Sequence, residues 1–107
     1  MRAFALAFTL GLIGATFVAS AATEHPIMQK GRAFSEADVT VKKGDALLFV
    51  NDDTVTHNIM STSAGNEFNL GSMAPGVSTP VTFNDEGQIM VICAIHPRMK
   101  MTVNVTK

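Results

Sequence analysis

The stretch Cys93-Ala94-Ile95-His96-Pro97-Arg98-Met99 places the only cysteine of the chain three residues before a histidine and six residues before a methionine. A second histidine, His57, lies upstream. These side chains offer one thiolate, two imidazoles and one thioether, which is the composition of a blue-copper site. Zinc is usually held by several cysteines, histidines or carboxylates and rarely needs a thioether. The residue types therefore favour copper.

Each of these residues also has an ordinary structural explanation when it is taken alone. His57 fits a solvated loop histidine, Cys93 fits a buried core cysteine, and His96 with the following proline fits a turn. Their joint occurrence favours a metal site over these separate explanations. Two methionines compete for the fourth position, because Met101 lies two residues after Met99 on the same face of the last predicted strand. We prefer Met99.

The N-terminus has the pattern of an export signal. Arg2 precedes an uncharged, largely apolar run over residues 3–18, and small residues follow up to Ala22. A run of this length falls short of the roughly 20 residues that span a bilayer. The pattern therefore predicts a secretory signal peptide over residues 1–21, cut after Ala21 or Ala22, and not a membrane anchor. We expect a periplasmic protein with no stable membrane insertion after cleavage.

Export bears on the cysteine and on a third histidine. Disulfides form in oxidising compartments, but a lone cysteine has no partner for an intrachain bridge. A copper thiolate therefore explains Cys93 better than a structural disulfide does. Cleavage after Ala22 would place His25 third in the mature chain. A terminal amine, two amides and an imidazole can bind Cu(II) in a square plane. His25 is otherwise expected to be an exposed histidine.

The remaining residues, 22–107, predict a single small domain of the all-β class. Short β-prone runs alternate with turn residues, and no stretch is convincingly helical. Val39, Val41 and the Lys43-Gly44-Asp45 turn lead into Ala46–Val50, which predicts a hairpin. Met101, Val103 and Val105 alternate with polar residues in the last run. Seven or eight strands at this spacing predict an antiparallel Greek-key β-sandwich. The charged residues are scattered, without the basic cluster that nucleic-acid binding requires.

The domain resembles the cupredoxins, the type 1 blue copper proteins, and most of all their amicyanin and plastocyanin-like branch. The resemblance rests on Val39-Thr40-Val41-Lys42-Lys43-Gly44-Asp45, on Phe49-Val50-Asn51-Asp52-Asp53 through His57-Asn58, and on the short Cys-x-x-His-x-x-Met loop at 93–99. It implies a cupredoxin-like sandwich with one copper ion, Cu(I) or Cu(II), held by His57, Cys93 and His96 in the plane and by Met99 axially.

The resemblance also implies roles for neighbouring residues. The backbone N–H of Asn58 is expected to donate to the thiolate, and Ala94, which lacks a hydroxyl group, leaves any tie between the two ligand loops to the main chain. His96 is expected to be the electron port, inside an apolar ring of Met73, Pro75, Ile95 and Pro97. Many short cupredoxin loops carry proline where this chain has Ile95. Since Ile95 retains its N–H, it predicts a second hydrogen bond to the sulfur of Cys93.

The main functional interpretation is a one-electron carrier and not an enzyme. By resemblance its partners are redox proteins, a donor dehydrogenase and an acceptor such as a c-type cytochrome, and the carrier is expected to be a monomer. An amicyanin likeness implies methylamine oxidation, but Arg98 stands at a typically aromatic position of that loop. The main alternative is a periplasmic copper-binding protein for storage or delivery, supported by the methionine content. A weaker alternative is a Cys-His hydrolase, although a cysteine and histidine three apart on a tight loop favour chelation.

Overall fold

The computed structural model describes residues 24–107, so the predicted signal peptide and its cleavage site lie outside the described residues. The described residues form no helix, and none of them forms a segment of helix that could cross a membrane. They contain nine strands: β1 (Glu24–Lys30), β2 (Ala33–Phe34), β3 (Asp38–Lys42), β4 (Ala46–Asn51), β5 (Ile59–Ser61), β6 (Phe68–Asn69), β7 (Ser78–Thr82), β8 (Gly87–Cys93) and β9 (Lys100–Thr106).

The strands form two sheets, with the orders β2-β1-β4-β7 and β3-β9-β8-β5-β6. The predicted all-β sandwich is confirmed. The strand number exceeds the predicted seven or eight because β2 and β6 contain only two residues each. The pairing is also mixed where we expected it to be antiparallel, since β1 lies parallel to β4 and β3 lies parallel to β9.

The predicted hairpin between β3 and β4 is wrong. The turn itself forms as expected, with the Asp45 N–H donating to the Lys42 carbonyl at 2.9 Å and Gly44 in the left-handed region at φ 93°, which favours glycine. However, β3 pairs with β9 and β4 pairs with β1 and β7, so the turn carries the chain from one sheet to the other. Val41 and Phe49 thus face the same core from opposite sides.

Residue alternation explains how the core forms. In β9, Met101, Val103 and Val105 are buried while the residues between them are not, as predicted. In β8 the buried positions are Ile89, Val91 and Cys93. Successive side chains of a strand point to opposite faces, so Cys93 is the last inward-facing residue of its strand.

Four strand ends meet at one end of the sandwich. The parallel strands β1 and β4 end at Lys30 and Asn51. In the other sheet β8 ends at Cys93 beside the start of β9, with Ile92 opposite Lys100. The loops that follow these ends are residues 31–32, 52–58 and 94–99, together with the 70–77 segment that pairs with His57. We call this region the loop end of the sandwich.

Candidate metal centre

Three of the predicted ligands meet at the loop end. The Nδ1 atoms of His57 and His96 lie 3.2 Å apart, and each lies close to the sulfur of Cys93, at 3.6 Å and 3.8 Å respectively. The centre of such a triangle lies about 2 Å from each corner, close to the length of a metal–imidazole bond. A thiolate and two imidazole nitrogens that converge in this way fit a copper ion. Among the described residues no other group of His, Cys, Asp or Glu has this arrangement.

His57 is held from both its backbone and its ring. Its N–H donates to the Met73 carbonyl at 3.0 Å, and its own carbonyl accepts the Met73 N–H at 2.7 Å. The ring is completely buried, and its Nε2 lies 3.0 Å from Oδ2 of Asp53. An imidazole whose Nδ1 faces a metal carries its proton on Nε2, so Nε2 donates to the carboxylate and fixes the ring orientation.

Asp53 also ties this loop to the turn between β1 and β2. Its Oδ2 accepts the N–H of Arg32 at 2.9 Å, and its Oδ1 accepts the N–H of Thr54 at 2.8 Å. The Arg32 bond, the His57 bond and the Thr54 bond lower the pKa of Asp53 to about 2. The carboxylate is therefore charged at neutral pH and remains an acceptor for His57.

The predicted environment of the sulfur is confirmed in part. The Asn58 N–H lies 3.3 Å from Sγ of Cys93, and the Ala94 N–H donates to the Asn58 carbonyl at 2.8 Å, which is a main-chain tie between the two loops. The predicted hydrogen bond from the Ile95 N–H to the sulfur does not form; among residues 24–107 the sulfur accepts the Asn58 N–H. Ile95 is about half exposed on the loop, whereas the completely buried sulfur is surrounded by Asn58 and the two imidazoles.

The strand register distinguishes the two candidate methionines. The Cys93 N–H donates to the Met99 carbonyl at 3.2 Å, so Met99 lies opposite the cysteine. Met101 is paired with Val91, two residues deeper along β8. Two residues of strand correspond to about 6.6 Å. Both methionines are buried, but the position of Met99 at the level of the cysteine favours Met99 as the fourth group of the site.

His96 differs from His57 in exposure, since it is only partly buried. It shares a surface depression with Ile95, Pro97 and other loop residues. The predicted apolar ring needs one correction. Met73 is 1% exposed and belongs to the core, because its backbone pairs with His57 and draws its side chain inward. Pro75, Ile95 and Pro97 are exposed.

Sequence reasoning missed two residues that support the site. Asp53 stands four residues before His57, and in a loop this spacing does not predict whether two side chains are in contact. Asn51 is completely buried at the end of β4. Its Nδ2 donates to the carbonyls of Met73 and Val55, and its Oδ1 accepts the Asp53 N–H. Asn51 thus braces the segments on either side of His57. The signal that was available is a polar residue at the inward position of an otherwise apolar strand.

Comparison with known proteins identifies similar folds. A family model described as copper binding proteins of the plastocyanin/azurin family matches residues 21–106. Amicyanin from Paracoccus versutus is 23% identical, with 81% of this chain and 85% of that chain covered and a TM-score of 0.69. A purple cupredoxin from Nitrosopumilus maritimus is 23% identical, with 77% and 99% covered and a TM-score of 0.68.

A copper-containing nitrite reductase from Thermus scotoductus SA-01 is 22% identical with a TM-score of 0.73, and 79% of this chain matches 23% of that enzyme. This chain therefore spans less than a quarter of the reductase. At these identities the solved structures show a common fold. The comparison with curated sequences returns no significant match.

Proposed function

This chain belongs to the plastocyanin/azurin family of copper-binding proteins, and we propose that it is a one-electron carrier. In this proposal His57, Cys93 and His96 would hold the copper ion, and Met99 would be its fourth ligand. The observation that carries it is the triangle of one sulfur and two Nδ1 atoms with edges of 3.2 to 3.8 Å. When bound, copper supplies a one-electron couple between Cu(II) and Cu(I).

The surrounding residues suit a carrier because they hold the ligands in place before a metal arrives. His57 is clamped by the Met73 backbone and by Asp53. Cys93 is anchored in β8 and accepts the Asn58 N–H. A site whose ligands move little between two oxidation states exchanges an electron with a small reorganisation cost. Hydrogen bonds to the thiolate and burial are also levers that set a blue-copper potential.

The exposure of the ligands supports His96 as the electron port. His57 and Cys93 are completely buried, and Met99 is 2% exposed. His96 is the partly exposed member of the set. An electron donor or acceptor at the surface therefore approaches the site most closely through the His96 imidazole.

The burial pattern gives less support to the two alternatives. Copper storage or delivery favours several accessible thioethers at the site, whereas Met73, Met99 and Met101 are buried in the core. The exposed Met90 lies three residues before Cys93 along β8 and is not part of the triangle of ligands. A hydrolase needs a thiolate that a substrate can reach, whereas the sulfur of Cys93 belongs to a completely buried residue and faces two imidazole nitrogens. The hydrolase alternative also leaves unexplained why two Nδ1 atoms lie close to one sulfur.

We propose a periplasmic location, which is supported by an N-terminal sequence in which Arg2, an apolar run and Ala19-Ser20-Ala21-Ala22 follow one another. Its proposed partners are redox proteins, a donor dehydrogenase and an acceptor such as a c-type cytochrome. Expression of the full chain with its leader, followed by fractionation and N-terminal sequencing, tests the export and the cleavage after Ala21 or Ala22.

The spectrum of the copper-loaded protein tests the function directly. Purified protein with one equivalent of Cu(II) should show an intense visible thiolate-to-copper band that reductant bleaches and oxidant restores. Voltammetry should give a reversible one-electron wave. Colourless binding of Cu(I) alone would support storage or delivery instead, and a failure to bind copper would contradict both copper functions.

A further inference from the structure

The surface beside His96 combines apolar and basic residues. A depression of about 380 Å³ is lined by Arg32, Ile95, His96, Pro97, Arg98 and Met99. Ile95 is about half exposed, and both arginines are exposed. Arg32 comes from the turn between β1 and β2, and Arg98 comes from the ligand loop itself. The partly exposed His96 therefore shares one depression with two arginine residues that come from different parts of the chain.

Both guanidinium charges are available to a partner. Among residues 24–107 the ion pairs join His25 to Glu36, Lys30 to Asp52 and His57 to Asp53, and none includes an arginine side chain. Arg32 uses only its backbone N–H toward Asp53. It also has φ 54°, a left-handed conformation that is uncommon for a residue with a β-carbon. The Arg32 backbone is therefore held by the turn and by Asp53, while its side chain forms no ion pair among residues 24–107.

The charges of the whole molecule are distributed unevenly. The loop end carries Lys30, Arg32, Arg98 and Lys100 against Asp52 and Asp53, and Asp53 is engaged by His57. The chain as a whole has a net charge of −1. The surplus of carboxylates thus lies away from the loop end, in residues such as Asp85 and Glu86 at the opposite turn. An approaching charged protein meets a local positive field at the loop end that its net charge would not predict.

We propose that Arg32 and Arg98 select a redox partner that presents carboxylates around its own electron port. This inference rests on the proposed carrier function and adds the chemistry of the partner. The apolar residues beside His96 permit close contact, and the two arginines orient an acidic surface by bidentate pairing with carboxylates. In the transfer, one electron passes from the reduced carrier to the partner's ferric haem, which becomes ferrous, and no bond or proton changes place.

Stopped-flow kinetics with a matched pair of acceptors tests the proposal. The acceptors are a lysine-rich cytochrome c and the same cytochrome with its lysines succinylated, which replaces ammonium groups by carboxylates. The reduced, copper-loaded protein should react faster with the succinylated form at low salt, and this rate should fall as ionic strength rises. The double variant Arg32→Gln/Arg98→Gln should react about tenfold more slowly with the succinylated cytochrome, a change within the range of electrostatic steering.

The control variant changes the same net charge at the other end of the sandwich. Lys43→Gln/Lys107→Gln removes two positive charges beside the β3–β4 turn, where the Lys43 N–H bonds to Thr106, and should leave the rate within about twofold. NMR spectra of the Cu(I) protein should show shifts at residues 32 and 95–98 when succinylated cytochrome is added in its ferrous form, which cannot accept an electron. Equal loss in both double variants would mean that net charge alone steers the encounter, and the proposal would be wrong.

Two further outcomes have separate meanings. In one outcome the arginine variants change the rate of oxidation by hexacyanoferrate(III) and leave the rate with succinylated cytochrome unchanged. In that case the site recognises a small anion, and the proposed protein partner is refuted. The visible band of each variant is recorded in the same samples. If the unmodified copper-loaded protein lacks this band, the carrier function is contradicted. If the band is intact but the rate with succinylated cytochrome is the same with and without the two arginines, only this inference is contradicted.

Discussion

Gln29 and Asn51 occupy paired positions on the parallel strands β1 and β4, and both are completely buried, but their amides have opposite hydrogen-bonding states. Asn51 donates to two carbonyls and accepts one N–H. Neither Oε1 nor Nε2 of Gln29 has a partner among the described residues. An unpaired buried polar group costs free energy, whereas a paired one braces its surroundings. The Asn51 amide therefore raises the free energy of unfolding, whereas the neighbouring Gln29 amide lowers it.

Replacement of Gln29 tests this difference. Gln29→Leu should raise the free energy of unfolding by about 1–3 kcal/mol, because it removes the desolvation penalty of an unpaired amide. Urea titration of the apoprotein measures the change. Asn51→Leu is the matched control and should lower the free energy of unfolding by about 1–3 kcal/mol, since it strands the Met73 and Val55 carbonyls and the Asp53 N–H. Destabilisation by both variants would indicate that Gln29 is paired through a buried water.

Cys93→Ser should abolish the intense visible band of the Cu(II) protein and most of its redox activity. The β fold should persist, because the core around Phe49, Phe83 and Val103 does not depend on the metal. The Asn58 N–H can still donate to a serine hydroxyl, so the free energy of unfolding of the apoprotein should change by no more than about 2 kcal/mol. Absorption spectra test the loss of the visible band, and circular dichroism spectra test the persistence of the β fold. An intense visible band in the variant would exclude Cys93 as a ligand.

Met99→Leu should raise the reduction potential, since the loss of a weak axial donor disfavours Cu(II). Met101→Leu is the matched control, because Met101 is equally buried but lies opposite Val91, below the level of Cys93. It should change packing by less than about 1.5 kcal/mol and leave the potential nearly constant. Voltammetry of both variants provides the comparison. A larger shift for Met101→Leu would reverse the assignment of the axial ligand.

Asp53→Asn should weaken copper binding by about 10- to 100-fold, the usual effect of removing a partner that orients a metal-binding histidine. The variant replaces the charged acceptor of His57 Nε2 and of the Arg32 N–H with a neutral amide of similar size. Competition with a Cu(II) chelator measures the affinity. Asp52→Asn is a suitable control, since Asp52 is exposed and its carboxylate is paired with Lys30, at 4.0 Å, and not with His57. Equal affinities of both variants would show that Asp53 does not orient the ring.

The same carboxylate predicts a component of acid denaturation. The pKa of Asp53 is lowered to about 2 in the folded protein, so below pH 4 the unfolded state binds more protons at this residue than the folded state does. The stabilisation from Asp53 is therefore complete above the unfolded pKa, near 4, and is lost as the pH falls toward 2. Urea midpoints of the apoprotein between pH 5 and pH 2 should fall less steeply for Asp53→Asn. Parallel profiles would contradict the lowered pKa.

Part of the site is local in the chain, and this part could be predicted from sequence. Cys93, His96 and Met99 lie within seven consecutive residues at the end of β8 and in the loop that follows it, so covalent connectivity alone keeps their donor atoms near one another. The alternation of Met101, Val103 and Val105 with polar residues similarly determines which face of β9 is buried. Because both signals depend on neighbours in the chain, the copper chemistry and the all-β class were already contained in the amino-acid sequence.

The tertiary structure alone decided the remaining relationships. The β3–β4 turn has the residues of a hairpin, but the partner of each strand depends on which segment elsewhere in the chain packs beside it. The same applies to Asp53 beside His57 and to Met99 rather than Met101 at the level of Cys93. It also applies to Arg32 and His96, which line one depression although they are 64 positions apart in the chain. These contacts arise because the two sheets close on a common core and bring loops from separate strands to one end. Periodicity and motif spacing describe a segment and its immediate neighbours, whereas the packing of distant segments is a property of the whole chain.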